Sequence, residues 1–91
     1  MVASMHNPAA DVLAAAVVEL RKAAGMTQRD LAAALGREQN LVARIETGQR
    51  RVDLIDWINI CRACGVEPEV ELAKLLKKVL PLVAKKRSRR S

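Results

Sequence analysis

The chain has 91 residues, 51% of them apolar, a single aromatic residue (Trp57) and a formal charge of +6. That length suits one domain of no more than about five helices. No run approaches the roughly eighteen apolar residues of a membrane span, and residues 1–7 lack the basic start and apolar centre of a signal peptide. A cytoplasmic protein is therefore expected.

Residues 1–7 show no periodicity and are expected to be a disordered start, with Asn7-Pro8 at its edge opening the first helix. Asn7 suits the cap, and Pro8 suits the first helical position, where a missing N–H costs nothing. Val12, Leu13, Ala16, Val17, Leu20 and Ala24 then repeat at helical spacing, and Gly25 ends the run. The stretch Thr27 to Gly48, TQRDLAAALGREQNLVARIETG, reads as two short helices joined by a tight turn. Thr27 and Asp30 form a capping box, Leu31, Ala32 and Leu35 an apolar stripe, and Gly36 the exit. In the next helix Leu41, Val42 and Ile45 face inward, while Gln39, Asn40 and Arg44 share an outward face.

After the polar, basic loop of residues 47–52, Asp53 and Asp56 repeat the cap pattern. The helix they open carries Trp57, Ile60, Cys61 and Cys64 as a core stripe, with Leu54, Ile55 and Ile58 apolar besides. Pro68 starts a fifth helix that Pro81 ends. Its Val70, Leu72, Ala73, Leu75, Leu76, Val79 and Leu80 are too many for one face. The expected helices are about 8–24, 28–35, 39–46, 54–64 and 68–80, in a domain of residues 8–81 followed by a basic flexible tail, 82–91. No alternating stretch bounded by turn residues suggests a strand, so the fold class is all-α. Lys85, Lys86, Arg87, Arg89 and Arg90 carry five of the six net charges. Such a tail suits nonspecific phosphate attraction or simply a solubilising end.

The run Gln28-x-x-Leu31-Ala32-x-x-Leu35-Gly36, then Gln39, then Arg44-Ile45-Glu46-x-Gly48, resembles the helix-turn-helix of the phage repressor family (Cro/CI-type, XRE-like). The resemblance extends from about Leu20 through Val66. It implies a lambda-repressor-like five-helix DNA-binding domain with an extended C-terminal helix. It also implies a sequence-specific regulator of double-stranded DNA, acting as a homodimeric repressor or autoregulator on a palindromic operator. Base reading needs long polar side chains near the start of a helix lying in the major groove. In the family the positions of Gln39, Asn40 and Arg44 face bases. Gln28 stands where the family meets the DNA backbone at a helix N-terminus, and Thr47, Arg50 and Arg51 are placed for neighbouring phosphates. Arg29 and Arg37 are weaker candidates. Arg21 and Glu46 resemble the family's buried structural pair. Three positions depart from the family pattern: Arg37 is usually apolar, Glu38 is often a Ser or Thr cap, and Ala43 is often Ser. Glu38 could accept from a cytosine amino group or repel the backbone.

The surplus apolar residues Ile55, Ile58, Leu72, Leu75, Leu76 and Val79 are most simply a dimer interface, which the resemblance implies and the spacing permits; a wider internal core is the other reading. A partner protein on the same helices, as in an antitoxin, is an alternative function. An RNA or single-strand binder is disfavoured by the absence of Tyr and Phe. Cys61-x-x-Cys64 spells a redox or metal motif, but both cysteines lie on an apolar helical stripe and the lone His6 is far off in sequence. Buried structural thiols are expected, and no metal. With no nucleophile–base set, paired catalytic carboxylates or glycine-rich phosphate loop, neither an enzyme nor a cofactor is expected.

Overall fold

A computed structural model describes residues 7–83 as five α-helices and one turn of 3-10 helix. The basic tail residues Lys85 to Arg90, His6 and the rest of the expected disordered start lie outside the described residues. Asn7 itself is an ordered cap: its side chain accepts from the Ala9 and Ala10 N–H groups at 2.9 and 3.3 Å. Helix α1 (Pro8–Ala23) follows, with Pro8 in its first turn. It closes on Gly25, whose φ of +74° lets the Met26 N–H return to the Arg21 carbonyl.

Helix α2 (Gln28–Leu35) starts from a complete capping box. The Asp30 N–H donates to Thr27 Oγ1 at 3.0 Å, and the Thr27 N–H donates to Asp30 Oδ2 at 2.9 Å. Gly36 (φ +68°) then turns the chain, while the Arg37 N–H bonds back to the Ala32 carbonyl. Two residues later α3 (Gln39–Glu46) begins. The same box recurs at the head of α4 (Leu54–Ala63), between Asp53 and Asp56. Helix α5 (Pro68–Val79) leads into the 3-10 turn Leu80–Leu82. Pro81 thus ends the α-helix, as its missing N–H requires.

Every helix contributes to one core. Val17 of α1, Leu31 of α2, Val42 of α3, and Ile60 and Cys61 of α4 are at most 1% exposed. Full burial of an aliphatic side chain contributes about 1.5–3 kcal/mol. Trp57 anchors the α4–α5 junction: its ring is buried and its indole N–H donates to the Pro68 carbonyl at 3.2 Å. Helix α3 packs against α2 and α1, and α4 lies beneath α2. Only one side of α3 is spent on the core.

The fifth helix sorts its apolar residues less generously than expected. Leu75, expected at a dimer interface, is 8% exposed and belongs to the core. Leu72 and Val79 pack half-buried against that core from the same stripe, and Ile58 of α4 is half-buried too. Of the expected set only Ile55 and Leu76 are exposed, and the outward apolar surface adds Leu54, Val70, Leu80, Leu82 and Val83. The spacing explains the division, since positions 72, 75 and 79 fall at i, i+3 and i+7 on one face.

Candidate nucleic-acid interface

The turn between α2 and α3 is short and α3 itself is two turns long, so its exposed face is small and well defined. Burial of Leu41, Val42 and Ile45 fixes the roll of the helix. The opposite face presents Gln39, Asn40 and Arg44, all exposed, with half-buried Ala43 between them. Thr47 ends the helix, exposed, with its hydroxyl donating to the Arg44 carbonyl at 3.2 Å. Glu38 stands at the N-cap without a side-chain capping bond, so its exposed carboxylate is not spent on the helix end.

Behind this face, Glu46 at the last position of α3 gathers three groups. Arg21 Nε donates to its Oε2 at 2.6 Å and Arg21 Nη2 to its Oε1 at 3.1 Å. Gln28 Nε2 donates to the same Oε1 at 2.9 Å. Arg21 Nη1 completes the arrangement by donating to the Met26 carbonyl at 2.8 Å. The two charged side chains keep only 12% and 6% of their surface exposed. Hydrogen bonding to Glu46 is the largest influence on the Arg21 guanidinium, and it raises the pKa above its ordinary value despite burial. This cluster fastens α1, the start of α2 and the end of α3 to one another. Gln28, expected against phosphate, is therefore half-buried with its amide nitrogen engaged inside the protein.

Arg50 and Arg51, adjacent and chemically identical, stand in different surroundings. Arg51 is exposed, as are Arg29 and Arg37. Arg50 is half-buried, and its Nη1 donates to the Arg51 carbonyl at 2.7 Å and to Asp56 Oδ2 at 2.9 Å. Burial acts to raise the Asp56 pKa, but the bonds from Arg50 and from the Asp53 N–H outweigh it and hold the carboxyl below its ordinary range. Asp56 is the residue that sequence reasoning missed here: its role as a cap was legible, its ion pair was not.

Both cysteines are free thiols, Cys61 within the core and Cys64 packed against it. Cys61 is fully buried and Cys64 half-buried. Burial is the main reason that the Cys61 thiol is pushed up to about 11. Among the described residues no cluster of His, Cys, Asp and Glu could hold a metal ion, and no helix is long and apolar enough to cross a membrane. On the side formed by α4 and α5 an open groove of about 700 Å³ is lined by Leu54, Trp57, Ile58, Arg62 and Leu72 among others, with no residue of α3.

Two short helices joined by a glycine turn, the second exposing one polar face from a core-anchored scaffold, define a helix-turn-helix unit. A family model described as a helix-turn-helix domain matches residues 12–75. Among solved structures, an XRE-family-like protein from Pseudomonas syringae pv. tomato is 40% identical over 82% of this chain and 92% of its own, with a TM-score of 0.73. The restriction-modification controller protein C.AhdI from Aeromonas hydrophila is 31% identical over 68% of this chain and 94% of its own, at 0.62. The controller protein C.Esp1396I, solved as a tetramer on its natural 35-base-pair operator, shares the fold at 23% identity. It covers 82% of this chain and 99% of its own, with a TM-score of 0.72. Comparison with curated proteins gives no match. The chain belongs to the XRE-like helix-turn-helix family. It is a DNA-binding transcriptional regulator.

Proposed function

We propose that two copies of this chain bind one DNA duplex, each with α3 in a major groove, and repress transcription, including that of their own gene. The observation that carries this reading is the division of α3. Leu41, Val42 and Ile45 are buried while Gln39, Asn40 and Arg44 share one exposed face. Gln and Asn can each make two hydrogen bonds to an adenine edge, and Arg can make two to guanine. A twofold-symmetric pair would read half-sites about 10 base pairs apart, or a multiple, on a near-palindromic operator. The exposed apolar residues Leu54 and Ile55 of α4, Leu76 of α5 and Leu80 just after it supply a surface for pairing. Backbone contacts fall to Thr47 and Arg51, with Gln28 offering its remaining amide groups.

A gel-shift titration tests the reading, with the duplex upstream of the protein's own gene set against a scrambled duplex at fixed salt. Gln39→Ala and Arg44→Ala should each lower affinity for the native duplex by about 1–3 kcal/mol and leave the scrambled one unchanged. Equal losses on both duplexes would refute base reading by α3. A second protein seated on the α4–α5 face in place of a second copy would show as a monomeric chain in solution.

A further inference from the structure

We propose that Arg50 is a positioning residue, which sets the α3–α4 loop against the DNA backbone, and that Arg51 is the one of the pair that meets phosphate. The proposal rests on the reading of α3 as the DNA-facing helix and deepens it. By sequence the two arginines are equivalent, and the structure separates them. The backbone N–H of Arg50 donates to the Arg44 carbonyl at 3.1 Å, in the last turn of α3. Its side chain reaches the first turn of α4, where Nη1 bonds Asp56 Oδ2 at 2.9 Å. That same oxygen already accepts from the Asp53 N–H at 3.0 Å, so the guanidinium plugs into the capping box of α4. One residue thereby links the end of the reading helix to the start of the next helix.

The charge of Arg50 has a partner before any DNA arrives. Its Nη1 is spent on Asp56 and the Arg51 carbonyl, and a phosphate taken on Nε or Nη2 would meet a guanidinium whose charge the Asp56 carboxylate already offsets. Arg51 is exposed, and among the described residues its side chain makes no ion pair or hydrogen bond. Its carbonyl is clamped by Arg50 at 2.7 Å, so the backbone that carries it is held in place. A pre-set cation of this kind neutralises a phosphate and releases a counterion, and its partnered neighbour does not.

Fluorescence anisotropy with a labelled mixed-sequence duplex over a salt series tests the division of roles and needs no known operator. Arg51→Ala should lower the slope of log K against log salt by about 0.9. Arg50→Ala should leave the slope at its wild-type value and weaken binding about three- to fivefold. Arg50→Lys keeps the charge but not the placement of its donor, so it should weaken binding similarly, and it serves if the alanine variant folds poorly. Asp56→Asn should weaken binding in the same direction, and combining it with Arg50→Ala should add nothing further. A slope lowered by about 0.9 in Arg50→Ala, with wild-type binding by Arg50→Lys, would overturn the proposal. So would a loss of thermal stability in both Arg50 variants with affinity unchanged. A wild-type chain whose binding does not depend on salt would instead overturn the DNA-facing reading itself.

Discussion

Arg21 and Glu46, 25 positions apart, meet through two hydrogen bonds of 2.6 and 3.1 Å and join α1 to the last residue of α3. Little of either side chain reaches solvent, so removing one partner strands the other. Glu46→Ala should cost about 3–5 kcal/mol of unfolding free energy, measured by urea denaturation. Replacing both by apolar residues, as in Arg21→Met with Glu46→Leu, should recover much of the loss. A single variant within 1 kcal/mol of wild type would show that the fork contributes little. Any loss of DNA binding in Glu46→Ala should track the unfolded fraction, since the side chain lies behind the exposed polar face of α3.

Leu75 and Leu76 are neighbours with opposite exposures, 8% and 40%. Leu75→Ala should destabilise the monomer by about 2–5 kcal/mol through the cavity it leaves. Leu76→Asp, and likewise Ile55→Asp, should leave the fold intact and shift the chain to monomer in analytical ultracentrifugation. A dimer that survives both aspartates would place the pairing surface elsewhere.

The two capping boxes make stability sensitive to acid. Asp30 is held below its ordinary value of 3.8, first by its bond from the Thr27 backbone N–H. Asp56 is held below 3.8 as well, because the bonds from Arg50 and the Asp53 N–H prevail over burial. Depressed carboxyls stabilise the folded state fully above their unfolded pKa, and that contribution fades as pH falls through the folded one. Unfolding free energy should therefore be flat above about pH 5 and decline below about pH 4. Asp56→Asn, which retains a capping oxygen, should flatten part of that decline. An unchanged acid limb in Asp56→Asn would remove the Arg50 pair from the account.

The thiol of Cys61 titrates in the opposite direction. Its folded pKa of about 11 lies above the ordinary 9.0, so the unfolded chain ionises first as pH rises. Stability should fall between pH 9 and 11, and below that the folded thiol should stay protonated and unreactive. With Cys64→Ser as background, alkylation of Cys61 by iodoacetamide at pH 8 should proceed only as fast as the chain opens. Rapid labelling of the folded protein would point to a route into the core that the packing does not provide.

The features legible in the sequence are those whose cause is local. Asn7 before Pro8, Thr27 with Asp30 and Asp53 with Asp56 lie within one helical turn of the groups they satisfy. The pair Arg21–Glu46 was legible only through resemblance. Gln28 with Glu46 and Arg50 with Asp56 were not legible, because each depends on how two helices pack and neither spacing carries a signal of its own. Leu75 was misplaced for a related reason. In a helix with six such apolar positions, periodicity offers several stripes, and only Trp57, Val17 and their neighbours decide which one is buried.

The brevity of α3 bears on how well one copy can find an address. Eight residues make a helix about 12 Å long, which spans about four base pairs at 3.4 Å each. A fully specified four-letter word recurs by chance roughly once in 250 positions, far too often among the roughly 10⁶–10⁹ sites of a genome. Two copies reading together would square that rarity to roughly one in 65,000. On the proposed reading most of the discrimination would arise from pairing, and the apolar face of α4 and α5 would matter to the message as much as the polar face of α3.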